Sequence, residues 1–130
     1  MDNPESTSGP LLDPEQMKML LESGADESIE LFNEILALFE DESRAKFREM
    51  REATESGNYD AFSRSVHALA GSSANIGGRA VWLKAKDMEN MCKAGNGEHA
   101  VALLNDLEEL YTETIIQMRF YLDQLKSGGS

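Results

Sequence analysis

Apolar residues in this chain recur at the three- and four-residue steps of a helix, and no alternating apolar-polar run long enough for a strand interrupts them. That periodicity, punctuated at intervals by glycine, confines the chain to the all-α class. A short first helix is expected from Asp13, which can cap it, with Pro14 at its first position and Gln16 three residues after the cap, ending near Gly24. A long second helix follows from about Asp26 to about Ser56, with Ile29, Phe32, Ile35, Leu36, Phe39, Phe47 and Met50 on its apolar face and Gly57 at its C-terminal stop. The third runs from about Tyr59 to Ile76 and halts at Gly77-Gly78, which implies a tight hairpin into a fourth from about Arg79 to Ala94. Gly95-Asn96-Gly97 closes that helix. The last, from about Glu98 to Lys126, places Leu104, Leu107, Tyr111, Thr114, Met118, Tyr121 and Leu125 in a 3-4-3-4 seam that needs facing helices. Four long amphipathic helices joined by short connections predict an antiparallel up-down-up-down four-helix bundle, with the additional short N-terminal helix covering one end.

The chain has 130 residues, 41% hydrophobic and 28% charged, which is one ordinary domain with a packed core. Residues 1–10, rich in Ser, Pro, Gly and acidic side chains, read as a tail, residues 11–126 as the domain and residues 127–130 as a flexible end. No apolar run reaches the roughly 18 residues of a membrane helix, and the N-terminus lacks a secretory signal. A single Cys92 cannot form an internal disulfide and fits a reducing compartment. A cytoplasmic, soluble monomer is expected.

The net charge of −12 argues against nucleic acid and anionic membrane as partners, because counterion release needs clustered Lys and Arg. The charge is unevenly spread. Residues 1–43 carry 12 acidic and 1 basic side chains, residues 44–93 carry 6 and 9, and the remainder 6 and 2. A locally basic middle on an acidic body fits an acidic partner surface or a phosphoryl group, and equally fits uneven solvated helix faces.

On a wheel of about 100° per residue, Phe62, Val66, Leu69, Ser73 and Ile76 share one side of the third helix and His67 falls opposite them. The imidazole should face solvent. Its neighbours at helical spacing are Ser63, Arg64, Ala70, Gly71 and Ala74, all small except Arg64. Gly71 inside a helix costs about 1 kcal/mol relative to Ala, so either a partner approaches closely there or a neighbouring helix packs against it.

The run His67-Ala68-Leu69-Ala70-Gly71-Ser72-Ser73-Ala74-Asn75-Ile76-Gly77 resembles the motif of the histidine-phosphotransfer family: His, Leu, usually Lys, Gly, two small residues, then an apolar residue and Gly. Leu12-Asp13-Pro14-Glu15-Gln16 and Glu55-Ser56-Gly57-Asn58-Tyr59-Asp60 are similar to family members too, so the resemblance covers roughly residues 11–125. It implies a phosphocarrier rather than an enzyme: Nε2 of His67 accepts a phosphoryl group from an aspartyl phosphate of a receiver domain, or from a hybrid histidine kinase, and another receiver aspartate takes it. A histidine titrating near neutral pH offers a neutral nucleophilic nitrogen. No cofactor of its own is implied; Mg²⁺ is expected from the partner receiver domain.

One residue departs from the motif. Ala70 stands where the family usually has Lys. Trp82, Lys86, Glu89 and Lys93 form one stripe on the fourth helix, which the hairpin folds back along the third. The family's chemotaxis-kinase members resemble this chain in having a glutamate at the position of Glu89, where it accepts a hydrogen bond from the histidine ring. On that resemblance Glu89 orients His67, and Lys86, Lys93 and Arg64 are candidates to offset the phosphoryl charge in place of the missing lysine. Gly71 would let the partner approach.

His99, beside the Gly-Asn-Gly turn, reads as solvated, and Trp82 as core or groove filling. The Gly- and Ser-rich run from Gly71 to Gly78 lacks the Gly-Lys-Ser/Thr ending of a nucleotide loop, so no ATP site is read there. Two rival readings stay open: an inactive bundle that binds receivers without being phosphorylated, and a carboxylate-bridged metal enzyme, for which no inward Glu-x-x-His pair is found.

Overall fold

The structure is a computed structural model that describes residues 11–21 and 26–129. Six helices follow one another with no strand among the described residues: α1 (Pro14–Leu20), α2 (Asp26–Ser56), α3 (Tyr59–Ile76), α4 (Arg79–Lys93), α5 (Gly97–Ala102) and α6 (Leu104–Gly129). The expected tail at residues 1–10, the stop at Gly24 and the terminal Ser130 lie outside the described residues. α6 continues to Gly129, three residues past the expected Lys126.

Contacts between helices fix their directions. Ser65 donates to Glu49 between α3 and α2 at 3.0 Å, and His67 meets Glu89 between α3 and α4. Arg119 and Arg51 of α6 and α2 pair with Glu40 of α2 and Glu108 of α6 respectively. In the α2–α6 pairs one number rises as the other falls by the same amount, which is the register of antiparallel neighbours. Short turns at Gly57-Asn58 and Gly77-Gly78 reverse the chain for α2–α3 and α3–α4 in the same way.

The core is built from the positions the periodicity marks. Ile29, Phe32, Leu36, Phe39, Phe47 and Met50 of α2 are buried, with Ile35 only half-buried at the edge of the face. Phe39 and Phe47 both pack on the Tyr111 ring of α6, at centroid separations of 5.7 and 5.2 Å. Phe62, Val66, Leu69, Ser73 and Ile76 bury one side of α3.

The α3–α4 hairpin is held by the N-terminal segment. Gly77 ends α3 at φ 88°, a conformation open to glycine, and a Cβ there would meet Met17 Sδ at 3.0 Å. Asp13 caps α1 as expected, its Oδ1 accepting from Glu15 N and Gln16 N. Gln16 does not complete the reciprocal cap the sequence implies. The Asp13 N–H already donates to Gly77 O, so the Gln16 amide reaches across to Asn75 O at 2.9 Å, and Ala80 N donates to Leu11 O. α1 is thereby pinned to the end of the hairpin.

Two expectations for the last helix need correction. The chain from Gly97 onward is two helices, because Leu103 closes back on Ala100 O in a tighter turn. Apolar spacing runs unbroken through Ala100, Leu104 and Leu107, so periodicity cannot reveal the break. The seam also shifts: Leu122 is buried and Tyr121 exposed, since the 3.6-residue period drifts ahead of a strict 3-4 repeat.

α5 is seated by Gly97. A Cβ at Gly97 would lie 2.7 Å from Cγ of Tyr59, at the root of the ring rather than its movable end. Gly97→Ala should therefore lower unfolding stability by about 1–3 kcal/mol, read from the midpoint of a denaturant titration; an unchanged midpoint would show that the contact yields freely.

Candidate functional site

His67 stands near the middle of α3, on the side away from the buried Phe62, Val66, Leu69, Ser73 and Ile76, and its side chain is 68% exposed. Placement on the outer face follows from the helical period alone. The hairpin then supplies what one helix cannot. With α4 folded back along α3, Glu89 arrives level with His67, and its Oε2 lies 2.9 Å from Nδ1 of the ring.

That contact determines the ring's chemistry. An ionised carboxylate can only accept, so Nδ1 carries the hydrogen and donates it. Nε2 is then the nitrogen left with a free lone pair in the neutral ring, on a side chain that is 68% exposed. Glu89 is 4% exposed, and burial pushes its carboxyl up. The hydrogen bonds from His67 and Lys93, with the charges of His67 and Lys86, outweigh burial and hold it below the usual 4.5.

Two of the three expected charge partners gather here. Lys93 Nζ lies 3.3 Å from Glu89 Oε2 and Lys86 Nζ 3.6 Å from Oε1, the second an ion pair too long for a hydrogen bond. Both lysines are exposed, with mobile ends that can follow charge placed on the ring. Arg64 is not part of this cluster. It lines the groove on the other flank of α3 with Lys46, Glu49 and Glu52. Three residues before His67 on the helix, it turns toward α2 rather than α4.

The floor beside the ring also differs in part from the expectation. Gly71 is exposed, and a Cβ built on it would find no atom within 4 Å. Packing of a neighbouring helix therefore does not explain this glycine. Ala70, expected on the flat patch, is 4% exposed, on the side of α3 that turns toward α4. Its position is not a free surface from which a lysine would simply extend.

Trp82, expected as core or groove filling, is not a core residue. It is 38% exposed and outside the core, at the hairpin end of the stripe that carries Lys86, Glu89 and Lys93. The signal for this was present in the sequence, because a residue seven before Glu89 shares its face. His99 is exposed, in keeping with a solvated side chain. Cys92 is half-buried, and burial together with the nearby Glu89 charge pushes its thiol up despite a hydrogen bond with Ser63. Among the described residues no group of three or more His, Cys, Asp or Glu side chains is placed to hold a metal ion, and no helix is long and apolar enough to cross a membrane.

The family model of the Hpt domain matches residues 34–127 of the chain, more than half its length. The solved structures similar to it include histidine-containing phosphotransfer protein B (HptB) from Pseudomonas aeruginosa PAO1, with a TM-score of 0.73 and 22% sequence identity, covering 89% of this chain and 97% of that one. A candidate histidine-containing phosphotransfer protein from rice gives a TM-score of 0.66 at 22% identity, over 95% of this chain and 89% of its own. At these identities the structures speak for the fold. No curated protein matches the chain.

The depressed Glu89 carboxyl sets a pH dependence. Its contribution to stability is fully present above the ordinary value of 4.5 and is lost as pH falls through the lower folded value. Denaturation from about pH 7 down to about pH 3 should show wild type losing stability more steeply below about pH 4.5 than Glu89→Gln. Parallel curves would mean the carboxylate is not held by the fold.

Proposed function

Because the chain belongs to the Hpt domain family, we propose that it carries phosphoryl groups between aspartates of receiver domains through His67. In the forward step the lone pair of Nε2 attacks the phosphorus of an aspartyl phosphate. The N–P bond forms as the P–O bond to the aspartate breaks, and the carboxylate leaves. The ring, still protonated at Nδ1, becomes cationic, and the Glu89 carboxylate 2.9 Å away offsets that developing charge. The reverse sequence hands the group to the next aspartate.

The observation that carries this reading is the pairing of an exposed imidazole with a buried carboxylate at Nδ1. Orientation of a ring by a carboxylate on its far nitrogen is how imidazoles are fixed for use elsewhere. Lys86 and Lys93, exposed and drawn together by Glu89, take the place of the lysine absent at Ala70 in offsetting the phosphoryl oxygens. Gly71 leaves open the face across which the partner's aspartate must approach. Mg²⁺ on this reading belongs to the receiver, and the transfer requires no ATP site or metal site of the bundle's own. The partners are receiver domains and a hybrid histidine kinase, met by a cytoplasmic monomer.

Incubation with a phosphorylated receiver domain tests the proposal. Acid-labile label should appear on the wild-type chain and vanish in His67→Gln with the helical content unchanged. Label that survives in His67→Gln would overturn it, and receiver binding without any label would assign the bundle a scaffold role instead.

A further inference from the structure

We infer that Trp82 is a docking residue for the phosphorylated receiver domain, inserting its indole into the partner about 10 Å along α4 from Glu89, the residue that meets His67. The inference rests on the relay reading above. α4 presents Trp82, Lys86, Glu89 and Lys93 as one stripe, and three of the four already converge at His67 through the Glu89 carboxylate. Trp82 continues that stripe toward the hairpin. It is the only tryptophan in the chain, 38% exposed, and it takes part in no ring-ring contact among the described residues.

The surroundings are those of an anchor rather than of a misplaced core residue. From the register set by His67 and Glu89, Trp82 comes level with Ala74 of α3, so the indole borders a strip in which Gly71 and Ala74 offer no long side chain. Lys86 lies between the indole and the ring, so a partner bringing an anionic aspartyl phosphate to His67 meets a cation first and an aromatic body beside it. Tryptophan at such a position is the side chain most enriched among residues that dominate interface energies, because it buries a large rigid surface with little loss of rotamer freedom. Charge complementarity and continuity with the phosphoryl-accepting patch select a phosphorylated receiver as the occupant.

Trp82 makes the experiment direct, since its fluorescence reports on one site. Titrating the intact chain with receiver domains, and choosing the one that labels His67 fastest, should shift the emission to shorter wavelength on complex formation. Trp82→Ala should raise KM for that phosphorylated receiver at least about tenfold, with Trp82→Phe intermediate and kcat little changed. Labelling of His67 by phosphoramidate, a donor too small to touch Trp82, should be the same in all three proteins. Unaltered emission and unaltered KM would overturn the inference. A blue shift on concentrating the chain alone would also overturn it, by giving the indole to a second copy. If phosphoramidate labels His67 and no receiver does, the relay reading falls, and the docking role with it; a loss of labelling confined to the receiver and to Trp82→Ala supports both.

Discussion

The arrangement depends on one buried anion. Glu89 is almost wholly shielded from water, a position that disfavours a charge, yet it is surrounded by three groups that favour it: the Nδ1–H of His67 and the ammonium groups of Lys86 and Lys93. An apolar side chain of similar size would pack between α3 and α4 with no desolvation penalty. What the carboxylate adds is chemical. Ionised, it accepts the Nδ1–H of the ring and pairs with two lysines at the same point.

Everything upstream of that contact serves its geometry. Gly77 in its left-handed conformation turns the chain so that α4 runs back along α3, and His67 and Glu89, equally far from Gly78, come level. α1 then ties down the turn, through Asp13 N to Gly77 O, Gln16 to Asn75 O and Ala80 N to Leu11 O. The pairs Glu40–Arg119 and Arg51–Glu108 tie α2 to α6 behind the hairpin. The lysines and Arg64 belong to the one basic stretch, residues 44–93, of a chain with net charge −12.

Much of this was legible in the residues because it depends on one helix at a time. The period that buries Phe62, Val66, Leu69, Ser73 and Ile76 exposes His67, and caps and glycines mark the ends of α2, α3 and α4 to within about a residue. The Glu89 stripe could be read the same way. What could not be read depends on two elements meeting. Arg64 and Lys86 are both cations near His67 in a one-dimensional view, and only the packing of α2 against one flank and α4 against the other separates them. Ala70 looks like part of an open patch until α4 is folded beside it. The break at Leu103, where the chain closes back on Ala100 O, is hidden because the apolar spacing passes through it without a gap. Trp82 reads as core or groove filling by residue type, while its spacing seven before Glu89 puts it on the α4 stripe, where it is 38% exposed.

The most direct test of the central claim, that Glu89 fixes the proton on Nδ1 and leaves Nε2 free, is ¹⁵N NMR of the His67 ring in the unphosphorylated chain at a pH where the ring is neutral. A protonated Nδ1 and a bare Nε2 are expected in wild type, with the preference weakened in Glu89→Ala. A ring protonated mainly on Nε2, unaffected by Glu89→Ala, would contradict it.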